Sequence, residues 1–405
     1  MSYEFDEDKN MKTKYENNNS SLITHNSKVP VLRFPEFVRE WEEVNFGELS
    51  EFQQGVQVDV EFQTKEPKEG FIKFIRIENY TQNSTDFRYI PQNLSSNKFI
   101  SDNEIAIVRY GATAGFIGRG FNGVLANNLF KLLTNKKLLD TEYLFQILKS
   151  DKVFNFFQSE MAGGAMPALS FGIVRVLKLP LTSLPEQQKI ADFLSQIDRK
   201  IERLTQKKKG LERYKKGVMQ QIFSQQLRFK DDNGQDFPEW EKKILNEFCD
   251  ITTGKSNRQD STLIGKYTFF DRSQDIRTSD IYLFDCEAII IAGEGQEFIP
   301  KYFIGKFDLH QRTYAVIGFN GQYGKYLFYY IHHFRHYFLS QAVGSTVKSL
   351  RLPMFQKMPI QLPCLEEQTK IANFLTALDT KITLVSKQLN GTKQYKKGLL
   401  QQLFV

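Results

Sequence analysis

Apolar side chains recur every seven residues in two long stretches of this sequence, at 190–222 and 371–403. A second apolar row runs between the members of the first, three or four residues away from them. The two stretches contain Ile190, Leu194, Ile197, Ile201, Leu204, Leu211, Val218 and Ile222, and then Ile371, Leu375, Leu378, Ile382, Val385, Leu389, Leu399 and Leu403. An apolar heptad repeat of this length is typical of a coiled coil. It predicts two antiparallel helices, each about 60 Å long at 1.5 Å per residue.

Two features depart from an ideal coiled coil. Lys208, Lys215 and Lys396 interrupt the apolar rows. Gly210 and Gly391 are expected to loosen each helix midway, because glycine is a weak helix former. An alternative therefore stays open, in which each helix packs on the surface of its own domain.

The sequence outside these helices has mixed α and β character. Segments 71–77, 104–109 and 288–292 are apolar or alternating and are bounded by turn-forming residues, which is typical of strands. Segments 143–157 and 326–339 are predicted to be helices. The two regions that contain these elements agree poorly with each other in sequence.

The long helices belong to an internal repeat whose copies are 181 residues apart. The segment Leu-Pro-Glu-Gln-Gln-Lys-Ile-Ala-Asp-Phe-Leu at 184–194 returns as Leu-Glu-Glu-Gln-Thr-Lys-Ile-Ala-Asn-Phe-Leu at 365–375, and Tyr-Lys-Lys-Gly at 214–217 returns at 395–398. Each half begins with a Phe-Pro-Glu motif followed by Trp-Glu, at 34–42 and 237–241. Solenoid repeats are only about 20–50 residues long. The pattern therefore indicates a duplicated half-protein with a pseudo-two-fold axis.

These patterns predict an α+β fold, with two mixed α/β domains joined by two long antiparallel coiled-coil helices in a pseudo-two-fold internal repeat. The predicted parts are a disordered tail at 1–30, a first domain at 31–185, a first spacer helix at 186–226, a second domain at 227–363 and a second spacer helix at 364–405. The tail is polar and lacks any periodicity.

The chain has 405 residues, a formal net charge of +7 and a pI of about 9.0, a basic excess that favours a polyanionic partner. Cys249, Cys286 and Cys364 are far apart and form no Cys-x-x-Cys pair, so buried thiols in a reducing compartment are expected. No apolar run reaches the roughly 18 residues that span a bilayer. Because the N-terminus is acidic rather than signal-like, a cytoplasmic protein without a membrane partner is expected.

Three motifs approach catalytic or cofactor sites without completing them. Residues 116–120 match the F-x-G-x-G pattern of S-adenosylmethionine sites, but no Asn/Asp-Pro-Pro-aromatic motif follows. Residues 254–256 imitate the end of a P-loop, but Cys249 occupies the position of its first glycine. His332 and His336 could share a metal on one helix face, yet their aromatic neighbours favour a structural role. We therefore expect no catalytic residue, metal or cofactor on this chain.

Side chains suited to DNA bases occur in glycine-bounded loops of both domains. Arginine is complementary to guanine in the major groove, and asparagine or glutamine to adenine. Each such residue alone is more often a solvated surface group, but here the set occurs in a basic protein whose symmetry resembles that of duplex DNA. The candidate DNA-binding residues are Arg76, Asn79, Tyr80, Arg109, Thr113, Arg119, Arg272, Gln274, Arg277, Gln296, His310, Gln311 and Arg312.

The sequence resembles type I restriction–modification specificity subunits over essentially everything after residue 30. The resemblance is carried by the repeated Leu-Pro-Glu-Gln-Gln-Lys-Ile segment, by the Phe-Pro-Glu and Trp motifs that begin each half, and by Ile-Val-Arg-Tyr-Gly-Ala-Thr-Ala-Gly at 107–115. One departure is Glu366, which stands where the first copy has Pro185, so the start of the second helix is expected to differ.

The resemblance implies a non-catalytic, sequence-specific DNA-binding subunit. Each of two target-recognition domains would recognise one half of a bipartite, gapped double-stranded DNA target, and the helices would set the gap. Two methyltransferase subunits would dock on the subunit, and restriction and translocase subunits would join the complex. S-adenosylmethionine, ATP and magnesium are then expected on those partners. Base-contacting residues differ between family members, so the candidate residues above rest on position alone.

Two other hypotheses stay open at this point. One is the specificity module of a fused DNA methyltransferase, which would need the amino-methyltransferase motif that this sequence lacks. The other is a coiled-coil adaptor that does not bind DNA. The salt dependence of binding to random duplex DNA separates the adaptor, because counterion release makes DNA affinity fall steeply with salt.

Overall fold

The computed structural model describes residues 30–95, 98–162, 167–273 and 275–404. The tail predicted at 1–30 lies outside the described residues, apart from Pro30. None of the described helices is both long and apolar enough to cross a membrane.

Domain 1, which we define as residues 41–183, is a mixture of short strands and short helices. Its strands are β1 Glu42–Asn45, β2 Ser50–Gln54, β3 Phe71–Ile75, β4 Arg88–Pro91, β5 Phe99–Ile100, β6 Ala106–Val108, β7 Ile117–Gly118, β8 Gly123–Leu125, β9 Leu129–Thr134 and β10 Lys178–Leu181. Its helices are α1 Phe46–Leu49, α2 Ile77–Thr81, α3 Thr141–Leu148, α4 Asp151–Glu160 and α5 Phe171–Val176. The first long helix, α6, follows at Leu184–Phe223.

Domain 2, defined as residues 240–364, has the same mixed character with longer strands. Its strands are β11 Glu241–Ile244, β12 Asp250–Thr253, β13 Tyr267–Phe270, β14 Arg277–Ser279, β15 Phe284–Ala292, β16 Glu294–Gly295, β17 Lys301–Leu309, β18 Thr313–Ile317, β19 Lys348–Ser349 and β20 Pro359–Leu362. Its helices are α7 Gly324–His333, α8 His336–Gln341 and α9 Leu352–Gln356, and the second long helix, α10, is Leu365–Leu403.

The chain forms two units. The first contains domain 1, α6 up to residue 202 and α10 from residue 390. Its two helix segments run antiparallel and are joined by the Lys396 ammonium, which donates to the Asp198 carboxylate at 2.6 Å. At the far end of α10, Phe404 packs on Tyr143 with ring centroids 5.5 Å apart. The Tyr143 hydroxyl in turn donates to the carbonyl of Pro180, just before α6 begins.

Two four-stranded sheets form domain 1, in the orders β2-β9-β6-β7 and β4-β3-β8-β5. The core of the first unit joins Phe46, Phe130 and Tyr143 of the domain to Leu194 of α6 and Leu403 of α10. Strand β1 pairs antiparallel with β10, so the two ends of the domain lie side by side next to α6.

The second unit contains residues 203–389, with the later part of α6, domain 2 and the earlier part of α10. Here Lys215 donates to Asp379 at 2.6 Å, which is the Asp198–Lys396 contact with the helices exchanged. One six-stranded sheet, β12-β18-β15-β17-β13-β14, replaces the two sheets of domain 1. Strand β11 pairs with β20 as β1 does with β10. Tyr329 and Tyr326 are buried in the core of this unit.

A buried carboxylate of the repeated segment makes the same contacts in each unit. Glu186 accepts two hydrogen bonds from the Arg33 guanidinium, at 2.7 and 2.8 Å. Glu367 accepts two from Arg228, at 3.2 and 2.8 Å, and a third from the indole N–H of Trp240. Arg33 precedes domain 1 as Arg228 precedes domain 2. Each domain is therefore anchored to its helix through an equivalent buried ion pair.

The next residue of the repeat fixes the start of a domain helix. The side-chain carbonyl of Gln187 accepts from the backbone N–H of Asp140, the residue before α3, at 2.8 Å. Gln368 accepts from the N–H of Tyr323, the residue before α7, at 2.9 Å. Because the first N–H groups of a helix have no partner within the helix, these amides stabilise the attachment of each domain.

The predicted architecture of two mixed domains, two long antiparallel helices and an internal repeat is confirmed. The helix predicted at 143–157 is divided into α3 and α4. The Ser150 hydroxyl accepts a hydrogen bond from the Val153 N–H and so caps α4, which begins at Asp151. The helix predicted at 326–339 is likewise divided between α7 and α8. Helices α6 and α10 continue without a break through Gly210 and Gly391, and the loosening expected at these glycines stays a prediction.

Lys215 and Lys396, which interrupt the apolar heptads, are the two lysines that form the ion pairs with Asp379 and Asp198. Lys208 lies 3.8 Å from Glu212 of its own helix. The sequence allowed either pairing between the two long helices or packing of each helix on a domain. Both are present, because within each unit the helix segments pair with each other and also pack on the domain core.

Candidate nucleic-acid interface

Each domain has a glycine where two segments pass too close for a side chain. A Cβ atom at Gly55 would lie 2.3 Å from the Ala126 carbonyl oxygen, and one at Gly254 would lie 1.7 Å from the Leu309 carbonyl oxygen. Shortly after each glycine the chain forms one isolated parallel bridge. The bridges are Val56–Ala126 and Ser256–His310. In each domain the loop after the glycine is thus held beside a turn that connects two strands.

Backbone hydrogen bonds add two more segments to this arrangement, and they are equivalent in the two domains. In domain 1, the Arg109 N–H donates to the Asn128 carbonyl at 2.8 Å, and the Ala126 N–H donates to the Ile75 carbonyl. In domain 2, the equivalent bonds run from the Gly293 N–H to the Arg312 carbonyl at 2.8 Å, and from the His310 N–H to the Phe270 carbonyl. We call residues 54–57, 75–77, 109–113 and 126–128 loop cluster 1. Residues 254–258, 270–272, 293–296 and 310–312 form loop cluster 2.

Polar side chains in loop cluster 1 hold one another in place. The Arg109 guanidinium donates to Gln54 and lies 4.7 Å from the centre of the Phe171 ring. The Gln54 amide donates to the Asn127 carbonyl at 2.7 Å, which fixes the connecting turn. Thr113 is exposed in the turn that follows Arg109. Arg76 is half-buried and paired with Glu78 at 2.6 Å.

Three other candidates of domain 1 have their contacts inside the domain. Asn79 is fully buried, and its side chain binds the Arg76 N–H and the Ser84 carbonyl. Tyr80 is buried against Phe121, and burial, followed by nearby Glu104, raises the pKa of its hydroxyl. Arg119 donates twice to Glu142 and lies 3.8 Å from the Phe145 ring centre. These side chains stabilise the domain from within.

Loop cluster 2 places two exposed arginines on one glutamate. Arg312 Nη1 lies 2.8 Å from Glu294, and Arg272 Nη1 lies 3.6 Å from the same carboxylate. The two arginine side chains remain 64% and 62% exposed, while Glu294 is 19% exposed. Gln296 is exposed on the same turn and lines a cavity of about 220 Å³ with Arg272 and Glu294. The glutamate thus orients two cations that remain open to an external anion.

His310 is held in its neutral form next to these arginines. Its Nδ1 accepts from the Arg312 backbone N–H at 3.0 Å, which leaves Nε2 as the protonated nitrogen. Burial lowers the pKa of His310, and neighbouring Arg312 and Arg272 lower it further against the opposing effect of Asp271. Near neutral pH the side chain therefore offers a hydrogen-bond donor rather than a charge.

The remaining candidates of domain 2 differ in their surroundings. Gln311 is exposed, and its amide donates to Asn257 at 2.6 Å. Arg277 lies in β14, and its guanidinium donates to the Ser261 hydroxyl at 2.6 Å within the domain. Gln274 lies outside the described residues. The structure thus brings Arg272, Gln296, His310, Gln311 and Arg312 together in or beside loop cluster 2.

Sequence reasoning missed several polar residues of the two clusters. Gln54, Gln57, Asn127 and Asn128 contribute to cluster 1, and Asn257 and Arg258 to cluster 2. The available signal was the pair of glycines at 55 and 254, each of which lies 14 residues after the tryptophan of its Trp-Glu motif. Because the bridges join segments about 50–70 residues apart, the pattern of one segment does not reveal its partner.

The motifs that resemble cofactor or metal sites have structural explanations. Gly118 packs against Tyr80, where a Cβ would approach the ring to 2.4 Å, and Gly120 has a φ of 102° in the following turn. Burial, with smaller effects of Lys215 and other cations, lowers the pKa of His332 to about 4. Among the described residues, no group of three or more His, Cys, Asp and Glu side chains could hold a metal ion.

Comparison with known sequences gives a consistent result for both halves of the chain. A family model described as type I restriction modification DNA specificity domain matches residues 38–213 and again 238–394. The type I restriction enzyme MjaVIII specificity subunit of Methanocaldococcus jannaschii is 26% identical over 407 aligned positions, which cover 92% of this chain and 93% of that protein. The EcoDI specificity subunit of Escherichia coli is 27% identical over 40% of this chain and 36% of its own length.

Solved structures share the fold. The S subunit of a type I restriction–modification system from M. genitalium superposes with a TM-score of 0.66 at 16% identity, covering 93% of this chain and 99% of that one. A chain from a structure of type I restriction–modification complex assembly and conformational transition superposes with a TM-score of 0.53 at 17% identity, covering 90% and 97%.

Proposed function

This chain belongs to the type I restriction–modification DNA specificity family, and we propose that it is the specificity subunit of such a complex. In this proposal domain 1 recognises one half of a bipartite, gapped duplex target and domain 2 recognises the other. The observation that carries the proposal is that loop clusters 1 and 2 occupy equivalent places in two domains of different sequence. The same backbone arrangement carries different polar side chains in the two domains, which suits the recognition of two different short DNA sequences.

The proposed DNA contacts are the accessible polar residues of the two clusters. Arginine suits a guanine edge or a phosphate, while amide, hydroxyl and imidazole groups suit hydrogen bonding to bases. Of the residues identified from the sequence, they include Arg76, Arg109, Thr113, Arg272, Gln296, His310, Gln311 and Arg312. Asn79, Tyr80, Arg119 and Arg277 are left out, because they lie outside both clusters and their side chains are engaged within the domains. The net charge of +7 favours the same polyanionic partner.

We further propose that two methyltransferase subunits dock on the long helices, and that restriction and translocase subunits join through them. The support is an exposed tyrosine that occurs once in each helix. Tyr214 in α6 and Tyr395 in α10 belong to the repeated Tyr-Lys-Lys-Gly motif, and these tyrosines are 54% and 58% exposed. Exposed aromatic residues are enriched where proteins bind one another. Two equal surfaces suit two copies of one partner.

Methyl transfer and cleavage belong to the partners in this proposal, together with S-adenosylmethionine, ATP and magnesium. The purified chain alone should therefore transfer no methyl group from labelled S-adenosylmethionine to DNA. Addition of its methyltransferase subunit should restore transfer to target-containing duplex. Methyl transfer by the chain alone would contradict the proposal and favour a fused methyltransferase.

The same preparation tests the adaptor alternative through its affinity for random duplex DNA. Because phosphate contacts release counterions, the logarithm of the DNA association constant should fall linearly with the logarithm of salt concentration. A chain–methyltransferase complex whose DNA affinity does not change between about 50 and 200 mM salt would favour an adaptor.

The helices are proposed to set the gap between the two half-sites. Insertion of one heptad into α6 near Gly210, with a matching heptad near Gly391 in α10, lengthens each helix by about 10 Å. A DNA duplex rises about 3.4 Å per base pair. The added length therefore corresponds to about three base pairs if the helices follow the DNA axis. Sequencing of methylated motifs should show a changed gap, with weaker activity and unchanged half-sites. An active, extended variant with the original gap would show that the helices do not set it.

A further inference from the structure

Two amide side chains, one exposed and one partly buried, are hydrogen-bonded to each other in each loop cluster. In cluster 1 the Asn127 amide N–H donates to the side-chain carbonyl of Gln57. In cluster 2 the Gln311 amide N–H donates to the side-chain carbonyl of Asn257 at 2.6 Å. We call these pairs amide dyad 1 and amide dyad 2.

The two dyads occupy equivalent backbone positions. Gln57 and Asn127 each follow a member of the Val56–Ala126 bridge, and Asn257 and Gln311 each follow a member of the Ser256–His310 bridge. The direction of the hydrogen bond is also the same in both dyads. Asn127 and Gln311, in the turns that connect two strands, donate, while Gln57 and Asn257, in the loops that follow Gly55 and Gly254, accept. The long and the short amide are exchanged between the domains, so the arrangement is retained while its residues differ.

Burial does not account for these pairs. Gln57 and Gln311 are exposed, and Asn127 and Asn257 are only partly buried. The bridges and neighbouring backbone hydrogen bonds already hold the segments, as with Gln311 N–H donating to Ser256 O at 2.9 Å. An exposed pair of neutral side chains contributes little to stability, since a typical hydrogen bond contributes about 1 kcal/mol net. Its repetition in both domains points to an external partner.

The chemistry of a dyad matches one base edge in particular. The internal hydrogen bond uses the carbonyl of the loop amide and one N–H of the turn amide. The loop amide therefore keeps both N–H donors, and the turn amide keeps its carbonyl acceptor. In the major groove adenine presents an acceptor, N7, beside a donor, the N6 amino group. Guanine presents two acceptors there, and its O6 would face the turn carbonyl.

We propose that each amide dyad recognises the adenine of an A·T pair in its own half of the DNA target. Gln57 in dyad 1 and Asn257 in dyad 2 donate to adenine N7. Asn127 and Gln311 accept from the adenine N6 amino group. This inference rests on the proposed function and adds which residues determine the specificity and which base they select.

The substitutions Gln57→Glu and Asn257→Asp test the proposal with little change in shape. A carboxylate at either position still accepts the hydrogen bond from the turn amide, so the dyad and its structural role are retained. The outward donor is lost, and a negative charge faces N7. Each variant should lower the preference for A·T at one position, in one half of the motif, by about 5- to 150-fold. The other half should be unchanged.

The measurement is sequencing of methylated motifs in cells that express the full chain with its methyltransferase subunit. Purified complexes on base-substituted duplexes then give the ratio of Kd values for A·T and G·C at each position. Asn93→Asp in domain 1 and Gln341→Glu in domain 2 are matched controls, since both residues are exposed amides outside the clusters. They should lower affinity for every duplex equally, if at all.

Unchanged base preferences in Gln57→Glu and Asn257→Asp would overturn the proposal. An equal loss of base preference at every position of the half-site would also overturn it, because that result indicates an effect on the position of the whole domain. An unmodified chain that directs no sequence-specific methylation would instead contradict the proposed function itself. The two failures are therefore distinguished by the unmodified chain.

Discussion

Replacing Glu367 with alanine should lower the free energy of unfolding by about 3–5 kcal/mol. The carboxylate is completely buried and accepts hydrogen bonds from the Arg228 guanidinium and the Trp240 indole. Its removal leaves the Trp240 N–H without its acceptor and the largely buried Arg228 cation without its buried carboxylate, while Arg228 keeps its hydrogen bonds to the Phe237 and Pro238 carbonyls. Such groups are costly because they have lost water as well. Glu186→Ala should have a similar effect through Arg33.

Denaturant unfolding of the full chain measures this effect, and the neighbouring residue provides a control. Glu366 is exposed and lies 3.9 Å from Lys370 of the same helix. Because exposed ion pairs contribute little, Glu366→Ala should change stability by no more than about 0.5 kcal/mol. Equal effects of Glu366→Ala and Glu367→Ala would show that the buried pair does not anchor domain 2.

The same anchor should make stability depend on pH in the acid range. Burial acts to raise the pKa of Glu186, but hydrogen bonds from Arg33 and Thr182 outweigh it and hold the pKa below its ordinary value of 4.5. A lowered pKa stabilises the folded state above the ordinary value, and this contribution is lost as pH falls below it. The stability difference between the unmodified chain and Glu186→Gln should therefore narrow below about pH 4.5. A constant difference from pH 6 to pH 3.5 would contradict this.

A chain that carries domain 2 twice should direct methylation to a symmetric target. The variant replaces residues 41–183 with residues 240–364, so that both units present loop cluster 2. We expect the half-site of domain 2 to remain, and the other half to become its inverted copy at the original gap. This is a complete change in one half of the motif, the largest effect on specificity that we expect.

The attachment of the domains makes this exchange feasible. Each domain begins and ends in one antiparallel strand pair, β1 with β10 and β11 with β20. Trp41 packs on Tyr143 with ring centroids 6.4 Å apart, as Trp240 packs on Tyr326 at 6.2 Å. Glutamine residues of the repeat fix α3 and α7 in the same way. The junctions therefore provide the contacts that either domain needs.

Sequencing of methylated motifs measures the outcome, and the reciprocal variant is the control. Replacing residues 240–364 with residues 41–183 should give the symmetric target of domain 1. Retention of the original asymmetric motif by either variant would mean that the base contacts do not lie within the exchanged domain.

The long helices could be predicted from sequence because their signal is local and repeated. An apolar residue every seven positions fixes one helix face regardless of what that face contacts. The weak helix preference of Gly210 and Gly391 does not interrupt either helix, because the apolar rows continue on both sides of each glycine. Tertiary packing stabilises helices more than intrinsic preference does.

The loop clusters could be predicted only in part, because they depend on long-range contacts. Arg109, Arg272 and Arg312 were identified from their residue type and from their position in glycine-bounded loops. The Asn79 amide would also suit adenine by residue type, but its hydrogen-bonding groups are occupied by the Arg76 N–H and the Ser84 carbonyl. The partners Gln57 and Asn127 are 70 residues apart, and long-range contacts such as the bridge between Val56 and Ala126 bring them together.

The central claim is that this chain determines which DNA sequence its complex recognises. The most direct measurement is the methylated motif in cells that express the unmodified chain with its methyltransferase subunit, compared with cells that lack this chain. We expect one motif of two short specified blocks, separated by a fixed number of unspecified base pairs, that disappears when the chain is absent. A continuous motif, or methylation that is the same without this chain, would contradict the account.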